Sequence, residues 1–476
     1  MPHRPVFTGR QMNGLAKDLG QLIGSQSVKT DPVDLLAYEA DATHYFARGK
    51  PDAIVLPQTA EDISKVLRYA SNTANLPVTP RGAGSGLSGA CTPTQGGIVM
   101  DMKRMNQILE INSGNLTARA EAGVVLSHFH RAVEKLTLFY PPDPQSMTVC
   151  TLGGNVSTRA GGPHGVKYGT TSNYVLGLEV VLPDGSIINT GSTCVKHSVG
   201  YDLTHLMTGS EGTLGVITNI TLRLLPLPPM DRTIIVSCET AETASETVSA
   251  IIAAGMVPAM LEYVSKGAIR LMGNILNPPL EPDGEACLFI KLDGQERQIV
   301  DESRRIESIC RDMKALDVRV IEDKKEALSY WKARSSLYPL SMAAAHKVII
   351  EDVTVPRDRI PAYLRKLQEI SSRMAFSVGA GGHAGDGNMH PSIMVLDDSQ
   401  EQMEKSMQVV REVVKAGLAL GGSVSGEHGI GWHKAEFLVE ELGQRQVNLM
   451  KAIKKAFDPT GIMNPGKIWI DRGTTC

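Results

Sequence analysis

Short apolar segments separated by turn residues dominate the first half of the chain. Asp52–Pro57 (DAIVLP) predicts a buried strand, and Thr59 predicts the N-cap of a helix over 63–74. Further strands are predicted at 77–80 and 97–102, on either side of a glycine-dense loop. This order of strand and helix is typical of a protein with mixed secondary structure.

Between Ala118 and Pro226 the predicted elements are short. Strands are expected at 177–182, 186–190 and 216–225, with Gly, Pro, Asn and Asp between them. This spacing leaves little room for long helices.

The pattern changes after the proline-rich segment Leu225–Asp231 (LPLPPMD), which predicts a linker and a domain boundary. Beyond it, longer helical runs alternate with strands. Helices are predicted at 241–255, 301–315, 400–420 and 434–457, and strands at 286–292 and 347–355. The whole pattern predicts an α+β protein.

Composition narrows the class of protein. The chain has 476 residues, 42% of them hydrophobic, so each of about two or three domains can bury a full core. With 48 Lys and Arg against 51 Asp and Glu, the net charge of −3 gives no reason to expect nucleic acid as a partner. No run of about 18 apolar residues predicts a membrane span, and Met1–Arg10 lacks the apolar part of a secretory signal. We therefore expect a cytoplasmic protein.

The loop Pro80–Ala90 (PRGAGSGLSGA) contains the spacing G-x-G-x-x-G in Gly84, Gly86 and Gly89. A dinucleotide-binding Rossmann site needs a helix that opens at the last glycine, and Cys91–Gly97 (CTPTQGG) cannot start one. The Rossmann interpretation is therefore rejected. Because glycine has no Cβ, backbone N–H groups of this loop can still face a diphosphate. A plain glycine-rich turn is the alternative.

Three further segments combine small residues, hydroxyls and an amide. They are Tyr140–Ser146 (YPPDPQS), Thr151–Gly169 (TLGGNVSTRAGGPHGVKYG) and Ser210–Ile217 (SEGTLGVI). Loops of this kind suit a large, flat, polar ligand that approaches the backbone closely. One such loop would mean little, but several within one half of the chain are harder to explain as turns.

Together these segments, over about residues 50–226, resemble the FAD-binding domain of the vanillyl-alcohol oxidase and p-cresol methylhydroxylase (PCMH-type) superfamily. The resemblance implies FAD, held without a covalent bond because the loop at Arg81 carries no His where some members attach the cofactor. It also implies the cofactor-binding residues, which are Pro80, Arg81, Gly82, Ala83, Gly84, Ser85, Gly86, Pro142, Asp143, Ser146, Gly153, Gly154, Asn155, Ser157, Thr158, Gly161, Gly165, Tyr168, Glu211, Gly212, Gly215, Val216 and Ile217.

A third motif comprises Gly381–His390 (GGHAGDGNMH) and Ser425–Gly431 (SGEHGIG). Two imidazoles and a carboxylate flanked by glycines are a common ligand set for Zn²⁺ or Fe²⁺, and the spacing fits no zinc finger. Glycines let the chain turn sharply enough to aim His383 and His390 at one point. An isolated His is more often an ordinary surface or core residue, but the acidic and amide residues nearby favour a site.

These segments, and Asp458–Gly466 (DPTGIMNPG), are similar to the C-terminal domain of a group of flavoproteins. The group is formed by the FAD-binding polypeptide of glycolate oxidase, by D-lactate dehydrogenase and by D-2-hydroxyglutarate dehydrogenase. The resemblance implies an FAD-binding domain over 1–226 with its core at 50–226. It implies a substrate (cap) domain over 227–420 and a C-terminal helical segment over 421–476 that returns to the flavin. The residue roles it implies are metal ligands His383, His390 and Glu427, base His428, substrate-carboxylate arginine Arg334 and flavin-ring contact Asn464.

Oxidation of a 2-hydroxy acid needs these residue types. A base takes the hydroxyl proton while the hydrogen on C2 leaves as hydride. A divalent cation lowers the pKa of the hydroxyl, and an arginine can bind the carboxylate with two N–H groups. We therefore expect an FAD-dependent D-2-hydroxy-acid dehydrogenase with Zn or Fe(II).

Two positions bear on the substrate. Members that oxidise 2-hydroxyglutarate carry Lys where this chain has Ile350 and Thr where it has Tyr338. Without a cation that can help to hold a second carboxylate, a small monocarboxylate is favoured, with D-lactate first and glycolate next. D-2-hydroxyglutarate is the remaining alternative.

Electrons must leave the reduced flavin, and the sequence offers no second redox site. The seven cysteines form no C-x-x-C pair, so neither an iron–sulfur cluster nor a disulfide framework is expected in this chain. A partner is implied, either an electron-transferring flavoprotein or an iron–sulfur subunit. Two other functions stay open, namely a flavin alcohol oxidase that uses oxygen and a flavin-binding scaffold that only relays electrons.

Overall fold

The computed structural model describes residues 9–43, 48–73, 75–273, 275, 276, 280 and 284–470, with the backbone alone at 9–13. Most of Met1–Arg10, where no secretory signal was predicted, and Cys476 lie outside the described residues. The described part combines helices with sheets, which confirms the α+β prediction. None of its helices is both long enough and apolar enough to cross a membrane.

The chain divides into two compact units. The first unit comprises Met1–Ala160, Thr170–Leu227 and Glu427–Cys476. The second unit comprises Gly161–Gly169 and Pro228–Gly426. The proline-rich segment predicted as a linker therefore contains the point, after Leu227, at which the chain passes from the first unit to the second.

The helices are mostly short in the first half of the chain and longer beyond residue 240. In chain order they are α1 (Gly9–Ile23), α2 (Pro32–Leu36), α3 (Ala60–Asn72), α4 (Leu126–Glu134), α5 (Leu152–Thr158), α6 (Gly165–Tyr168), α7 (Leu203–Met207), α8 (Ala241–Ala253), α9 (Lys266–Met272), α10 (Glu296–Asp312), α11 (Lys324–Ser335), α12 (Leu337–Ala344), α13 (Ile360–Met374), α14 (Gln400–Ala419) and α15 (Leu438–Phe457).

The strands fall into separate sheets for the two units. In chain order they are β1 (Val28–Lys29), β2 (Ala53–Val55), β3 (Val78–Arg81), β4 (Ile98–Asp101), β5 (Ile108–Asn112), β6 (Thr117–Glu121), β7 (Leu138–Phe139), β8 (Val175–Val181), β9 (Ile187–Gly191), β10 (Val216–Arg223), β11 (Leu225–Pro226), β12 (Met230–Cys238), β13 (Met260–Ser265), β14 (Ala286–Gly294), β15 (Asp317–Ile321), β16 (Lys347–Ile350), β17 (Val353–Thr354), β18 (Val378–His383) and β19 (Asn388–Val395).

The sheets of the first unit carry the glycine-rich segments at their ends. One sheet has the order β1-β2-β4-β3, with β2 and β3 parallel to β4, and a second has the order β5-β6-β10-β8-β9. Strands β2 and β4 are completely buried, which explains their mainly apolar sequence without alternation. The C-terminal segment returns to this sheet, where Met463 bridges Val78.

The second unit is built on one antiparallel sheet. Its order is β15-β12-β14-β13-β18-β19-β16, and β17 also pairs with β19. Helices α8, α10 and α13 contribute buried apolar residues along one face each. The sequence predicted the first two of these helices but not α13. The central strands β13, β18 and β19 carry the side chains of the candidate site.

Two predicted elements are interrupted in the structure. The strand predicted at 347–355 divides at Glu351 and Asp352 into β16 and β17, which pair with β19 in one register, because the residue opposite Glu351 is Pro391 and proline has no N–H to donate. The helix predicted at 434–457 begins at Leu438 and is kinked at Gly443, whose φ of +77° is incompatible with a helix.

Candidate active site

The glycine loop joins β3 to β4 without a helix. Residues 82–97 form turns and irregular backbone, which confirms that the segment is not a Rossmann fingerprint. Gly84 has φ +72°, and a Cβ there would lie 2.1 Å from Nη2 of Arg81. At Gly82 a Cβ would lie 2.4 Å from Oγ1 of Thr151. Gly84 adopts a left-handed conformation that favours glycine, and Gly82 lies against the side chain of Thr151, so both glycines pack closely on neighbouring protein atoms.

The segment Leu152–Thr158 is a helix, α5, and the prediction of a loop was wrong there. The hydroxyl of Thr151 caps the helix by accepting a hydrogen bond from the N–H of Gly154 at 3.3 Å. Two adjacent glycines concealed this helix, since each costs about 1 kcal/mol of helix propensity. The predicted cofactor positions from Gly153 to Thr158 therefore lie on α5.

The segment Ser210–Ile217 packs against the start of the glycine loop. Gly212 has φ +70°, and a Cβ there would lie 3.1 Å from Cγ of Pro80. Gly215 precedes β10, and a Cβ there would lie 2.8 Å from Cγ1 of Val180. The structure thus brings two of the predicted cofactor-binding segments together.

The carbonyl groups at 142 and 146 accept hydrogen bonds or lie within hydrogen-bonding distance of neighbouring residues. The carbonyl of Pro142 lies 3.1 Å from Nε2 of His130, and the carbonyl of Ser146 accepts hydrogen bonds from the N–H groups of Val149 and Cys150 at 2.8 Å. Pro142 is buried and Asp143 is partly buried.

Asn464 connects two of the predicted cofactor-binding segments. Its side-chain amide donates to the carbonyl oxygens of Ala90 (2.8 Å) and Glu211 (2.7 Å), which ties together the glycine loop and the Ser210–Ile217 segment. Its Oδ1 is buried and has no hydrogen-bond partner among the described residues. A buried acceptor of this kind needs a donor, and FAD offers one in its ring system.

Three predicted cofactor positions, Gly161, Gly165 and Tyr168, lie in the second unit. The hydroxyl of Tyr168 donates to Oδ2 of Asp293 at 2.8 Å. A Cβ at Gly165 would lie 2.6 Å from Oδ2 of Asp386, in the turn between β18 and β19. The segment 161–169 is therefore attached to the same hairpin that carries His383 and His390.

His383 and His390 lie on the two strands of one β-hairpin. His383 ends β18, and His390 on β19 pairs with Gly381. His383 and Gly381 lie two residues apart on β18 and therefore share a face of the sheet. Because His390 is the partner of Gly381 on β19, the two imidazoles project to the same side. Their ring centroids lie 5.1 Å apart. The structure thus brings both residues together on paired strands, where the sequence suggested a glycine loop.

A buried carboxylate, Glu262 on β13, joins His383 to Arg334. Oε1 of Glu262 lies 2.7 Å from Nδ1 of His383, and Oε2 lies 2.6 Å from Nη2 of Arg334. Burial acts to raise the pKa of Glu262, but the charges of His383 and Arg334 hold that pKa below its ordinary value. A carboxylate on Nδ1 fixes the ring so that Nε2 can bind a metal, an arrangement usual for metal-binding histidines.

Sequence reasoning did not find Glu262, although a signal was present. It lies within the apolar strand MLEYV, where a charged residue is expected only with a buried partner. Arg334, which the sequence did single out, is 4% exposed. Its Nε is buried with no hydrogen-bond partner among the described residues, so the guanidinium retains donor capacity for an anion.

Asp352 fixes the chain immediately before Glu427. Its Oδ1 accepts from the amide of Asn388 at 2.7 Å, and its Oδ2 accepts from the hydroxyl of Ser425 at 2.6 Å. A Cβ at Gly426 would lie 2.3 Å from Nδ2 of the same asparagine. Asp352 therefore links the interrupted strand, the hairpin and the glycine-rich segment SGEHGIG.

Glu427 and His428 belong to the first unit, whereas His383 and His390 belong to the second. Oε1 of Glu427 lies 3.9 Å from Nε2 of His428. The main-chain carbonyl of His428 accepts a hydrogen bond from the hydroxyl of Ser88 at 3.0 Å.

Acid is expected to destabilise this protein partly through His433, whose Nε2 lies 2.9 Å from Oγ1 of Thr43. Burial lowers the pKa of His433 to about 3, and the charges of Lys434 and Lys467 act in the same direction. In the unfolded chain a histidine titrates near about 6.5, so between these values the unfolded state binds more protons. The free energy of unfolding should therefore fall as the pH drops through this window.

Urea denaturation at about pH 7 and about pH 4.5 checks this expectation. His433→Gln should lose less stability between the two pH values than the unchanged protein. His205→Gln, at an exposed histidine, is the matched control and should follow the unchanged protein. Equal pH dependence in His433→Gln and the unchanged protein would contradict the prediction.

Two family models match the chain. Residues 51–191 match the FAD binding domain, and residues 227–468 match the C-terminal domain of FAD linked oxidases. The chain belongs to the FAD-linked oxidases. This confirms the resemblance found in the sequence, and the FAD-binding domain establishes the class of cofactor.

Relatives of this FAD-linked oxidase extend over nearly its whole length. It is 39% identical to the glycolate oxidase subunit GlcD of Bacillus subtilis, over 95% of this chain and 96% of the relative. It is 35% identical to a D-lactate dehydrogenase of Anaerostipes hadrus, over 90% of this chain and 92% of the relative. The protein is therefore an FAD-dependent oxidoreductase of the group that contains these two enzymes.

Solved structures confirm the PCMH-type fold. p-Cresol methylhydroxylase superposes with a TM-score of 0.80 at 19% identity, over 99% of both chains. The 4-ethylphenol oxidase of Gulosibacter chungangensis superposes with a TM-score of 0.80 at 20% identity, over 98% of this chain and 99% of its own. At such identities the likeness concerns the fold of the FAD-linked oxidase alone.

Proposed function

We propose that this protein oxidises a small D-2-hydroxy acid, with D-lactate the favoured substrate, to the 2-oxo acid. The observation that carries the proposal is the buried chain of contacts His383–Glu262–Arg334. It sets an imidazole oriented for a cation beside a guanidinium that can bind a carboxylate. A 2-hydroxy acid offers one group to each, since its hydroxyl can bind the cation and its carboxylate the arginine. The names of the relatives in Bacillus subtilis and Anaerostipes hadrus are consistent with this substrate class.

FAD, when bound, supplies the acceptor for the hydrogen and two electrons that leave C2 of the substrate. The glycine loop at Arg81–Gly86, helix α5, the segment Gly212–Ile217 and Asn464 would hold it. Support comes from the match of residues 51–191 to the FAD binding domain and from the unsatisfied Oδ1 of Asn464.

A divalent cation, Zn²⁺ or Fe²⁺, would be held by His383, His390 and Glu427. Two nitrogen ligands and one carboxylate, with a position left for substrate, suit either metal. The fit is supported by Glu262, which orients His383, and by the shared face of the two imidazoles. The cation would lower the pKa of the substrate hydroxyl.

The remaining roles fall to His428 and Arg334. His428 would take the hydroxyl proton, and Arg334 would bind the carboxylate through donors that Glu262 leaves available. Proton removal and carboxylate binding would then be carried out by separate side chains.

The neighbourhood of His390 favours a monocarboxylate. Ile350 on β16 pairs with Ser392 on β19, two residues along the strand from His390. Side chains that lie opposite one another on paired strands share a face, so Ile350 projects to the same side as His390. An apolar residue replaces, at this position, the lysine of the dicarboxylate dehydrogenases.

Electrons would leave through a partner in the cytoplasm, either an electron-transferring flavoprotein or an iron–sulfur subunit. The support is chemical, because the sequence contains no cysteine pair that could bind an iron–sulfur cluster. The relative in Bacillus subtilis is itself named as a subunit.

Anaerobic mixing of the FAD- and metal-loaded protein with single substrates tests the proposal. D-lactate, L-lactate, glycolate and D-2-hydroxyglutarate are added separately, and the visible absorbance of oxidised flavin is followed. Bleaching by D-lactate but not by L-lactate is the expected result. If only glycolate or only D-2-hydroxyglutarate bleaches the flavin, that acid is the substrate and D-lactate is not. If no acid bleaches the flavin, the proposed function is overturned.

A further inference from the structure

The loop that carries His428 is tied to the glycine loop through Ser88. The hydroxyl of Ser88 donates to the carbonyl of His428 at 3.0 Å. The carbonyl of Ser88 in turn accepts from the N–H groups of Trp432 (2.9 Å) and His433 (3.1 Å). One buried serine therefore holds both sides of the turn that follows His428.

The same loop is tied to the segment Ser210–Ile217 through Glu211. Its Oε1 accepts from the N–H of Ile430 at 2.8 Å, and its Oε2 accepts from the N–H of Gly431 at 2.7 Å. Glu211 is 6% exposed, and its backbone has φ +52°, a conformation that few residues other than glycine adopt. A buried carboxylate that binds two successive N–H groups fixes both the position and the direction of the loop.

The glycines of the SGEHGIG motif fit this arrangement. Gly429 has φ +82°, and a Cβ there would lie 3.0 Å from Oε1 of Glu211. Gly431 has φ +54°, and a Cβ there would lie 2.1 Å from the carbonyl oxygen of Ser88. These two glycines allow Glu211 and Ser88 to reach the backbone on either side of Ile430.

We propose that Glu211 and Ser88 are positioning residues that hold the His428 loop in the orientation needed for proton removal. The inference rests on the proposed function, in which His428 is the base. Both oxygens of Glu211 are used by the loop, so its carboxylate acts on the reaction through the loop. These contacts connect three glycine-rich segments that are far apart in the sequence, at Ser88, Glu211 and His428.

The substitution Glu211→Gln tests the role of the carboxylate. Glutamine keeps the size of the side chain but has one acceptor and one donor, so its NH₂ would face one of the two N–H groups that the carboxylate now binds. In the FAD- and metal-loaded protein, we expect the rate of flavin reduction by D-lactate to fall about 10²-fold, while the substrate concentration at half-maximal rate changes little. FAD content should stay equal to that of the unchanged protein.

Hydrogen–deuterium exchange of peptides that cover 426–433 supplies a readout independent of activity. The amides of Ile430 and Gly431 should exchange faster in Glu211→Gln. The matched control is Glu121→Gln, where a carboxylate accepts a single backbone N–H, from Gln107 at 2.7 Å, on strand β6. It should leave both exchange of 426–433 and the reduction rate unchanged.

Ser88→Ala is the second variant and removes only one hydroxyl, so it keeps the test valid if Glu211→Gln fails to fold. As in Glu211→Gln, amide exchange at 426–433 should be faster and reduction of the flavin by D-lactate should be slower. Unchanged exchange and unchanged rate in both variants would overturn the inference. Failure of the proposed function would give a different result, because no 2-hydroxy acid would then reduce the flavin of the protein without substitutions. In that case the exchange data would still decide whether Glu211 and Ser88 hold the loop.

Discussion

Replacement of His428 by alanine is expected to slow the reduction of bound FAD by D-lactate about 10²–10⁴-fold, because the group that takes the hydroxyl proton is removed. The fold of the loop should survive. Its contact with Ser88 uses the main-chain carbonyl of His428, which alanine retains, and Glu211 binds the two residues beyond Gly429. FAD content and the visible spectrum of the oxidised flavin should therefore match those of the unchanged protein.

Stopped-flow absorbance under anaerobic conditions measures this effect. The matched control is His346→Ala, at an exposed histidine of the second unit that pairs with Asp398 at the surface. It should be reduced at the unchanged rate. A His428→Ala protein that is reduced as fast as the control would show that His428 is not the base.

Replacement of Arg334 by methionine is expected to lower the free energy of unfolding by about 3–5 kcal/mol, because it leaves the carboxylate of Glu262 buried without its cation. Glu262 is fully buried and its Oε2 lies 2.6 Å from Nη2 of Arg334. Activity should be lost as well, since the substrate carboxylate loses its partner. Urea denaturation of the unchanged protein and the variant measures the difference in stability.

An exposed ion pair of the same unit provides the control for Arg334. Arg319 pairs with Glu326 at 2.9 Å, but both side chains remain partly in water. Arg319→Met should therefore cost less than about 1 kcal/mol. Adding Glu262→Gln to Arg334→Met should restore part of the stability, because it removes the buried charge that has lost its guanidinium partner. An Arg334→Met protein as stable as the Arg319→Met control would contradict the argument.

The local patterns were strong enough to predict part of the framework. Thr59 caps α3 through the N–H of Asp62 as expected, and the buried strands β2 and β4 lie at their predicted places. These elements depend on neighbours within a few residues, so their signals are contained in the local sequence. The rejection of a Rossmann site rested on the same kind of information, because CTPTQGG cannot begin a helix wherever the chain places it.

Local reasoning failed where a distant side chain determined the structure. The strand predicted over 347–355 is interrupted where Pro391, on the paired strand β19, has no N–H to donate. The hairpin that carries His383 and His390 was not predicted, because its glycines disfavour a strand, while pairing between β18 and β19 stabilises it. Helix α5 was missed for a similar reason, since its buried positions pack against β10 and offset the low helix propensity of two glycines.

The residue pattern was sufficient to predict the family, the α+β class, the glycine loop and the candidate residues His383, His390, Glu427, His428 and Arg334. Only the folded chain shows which other groups act on them. Glu262 bridges His383 and Arg334, and Glu211 and Ser88 hold the His428 loop, although these residues lie about 70 to 340 positions from their partners. Burial gives these contacts their strength, because a carboxylate removed from water must find its hydrogen bonds within the protein. The sequence shows that a carboxylate in an apolar strand needs hydrogen-bond partners, but only tertiary packing determines which residues those partners are.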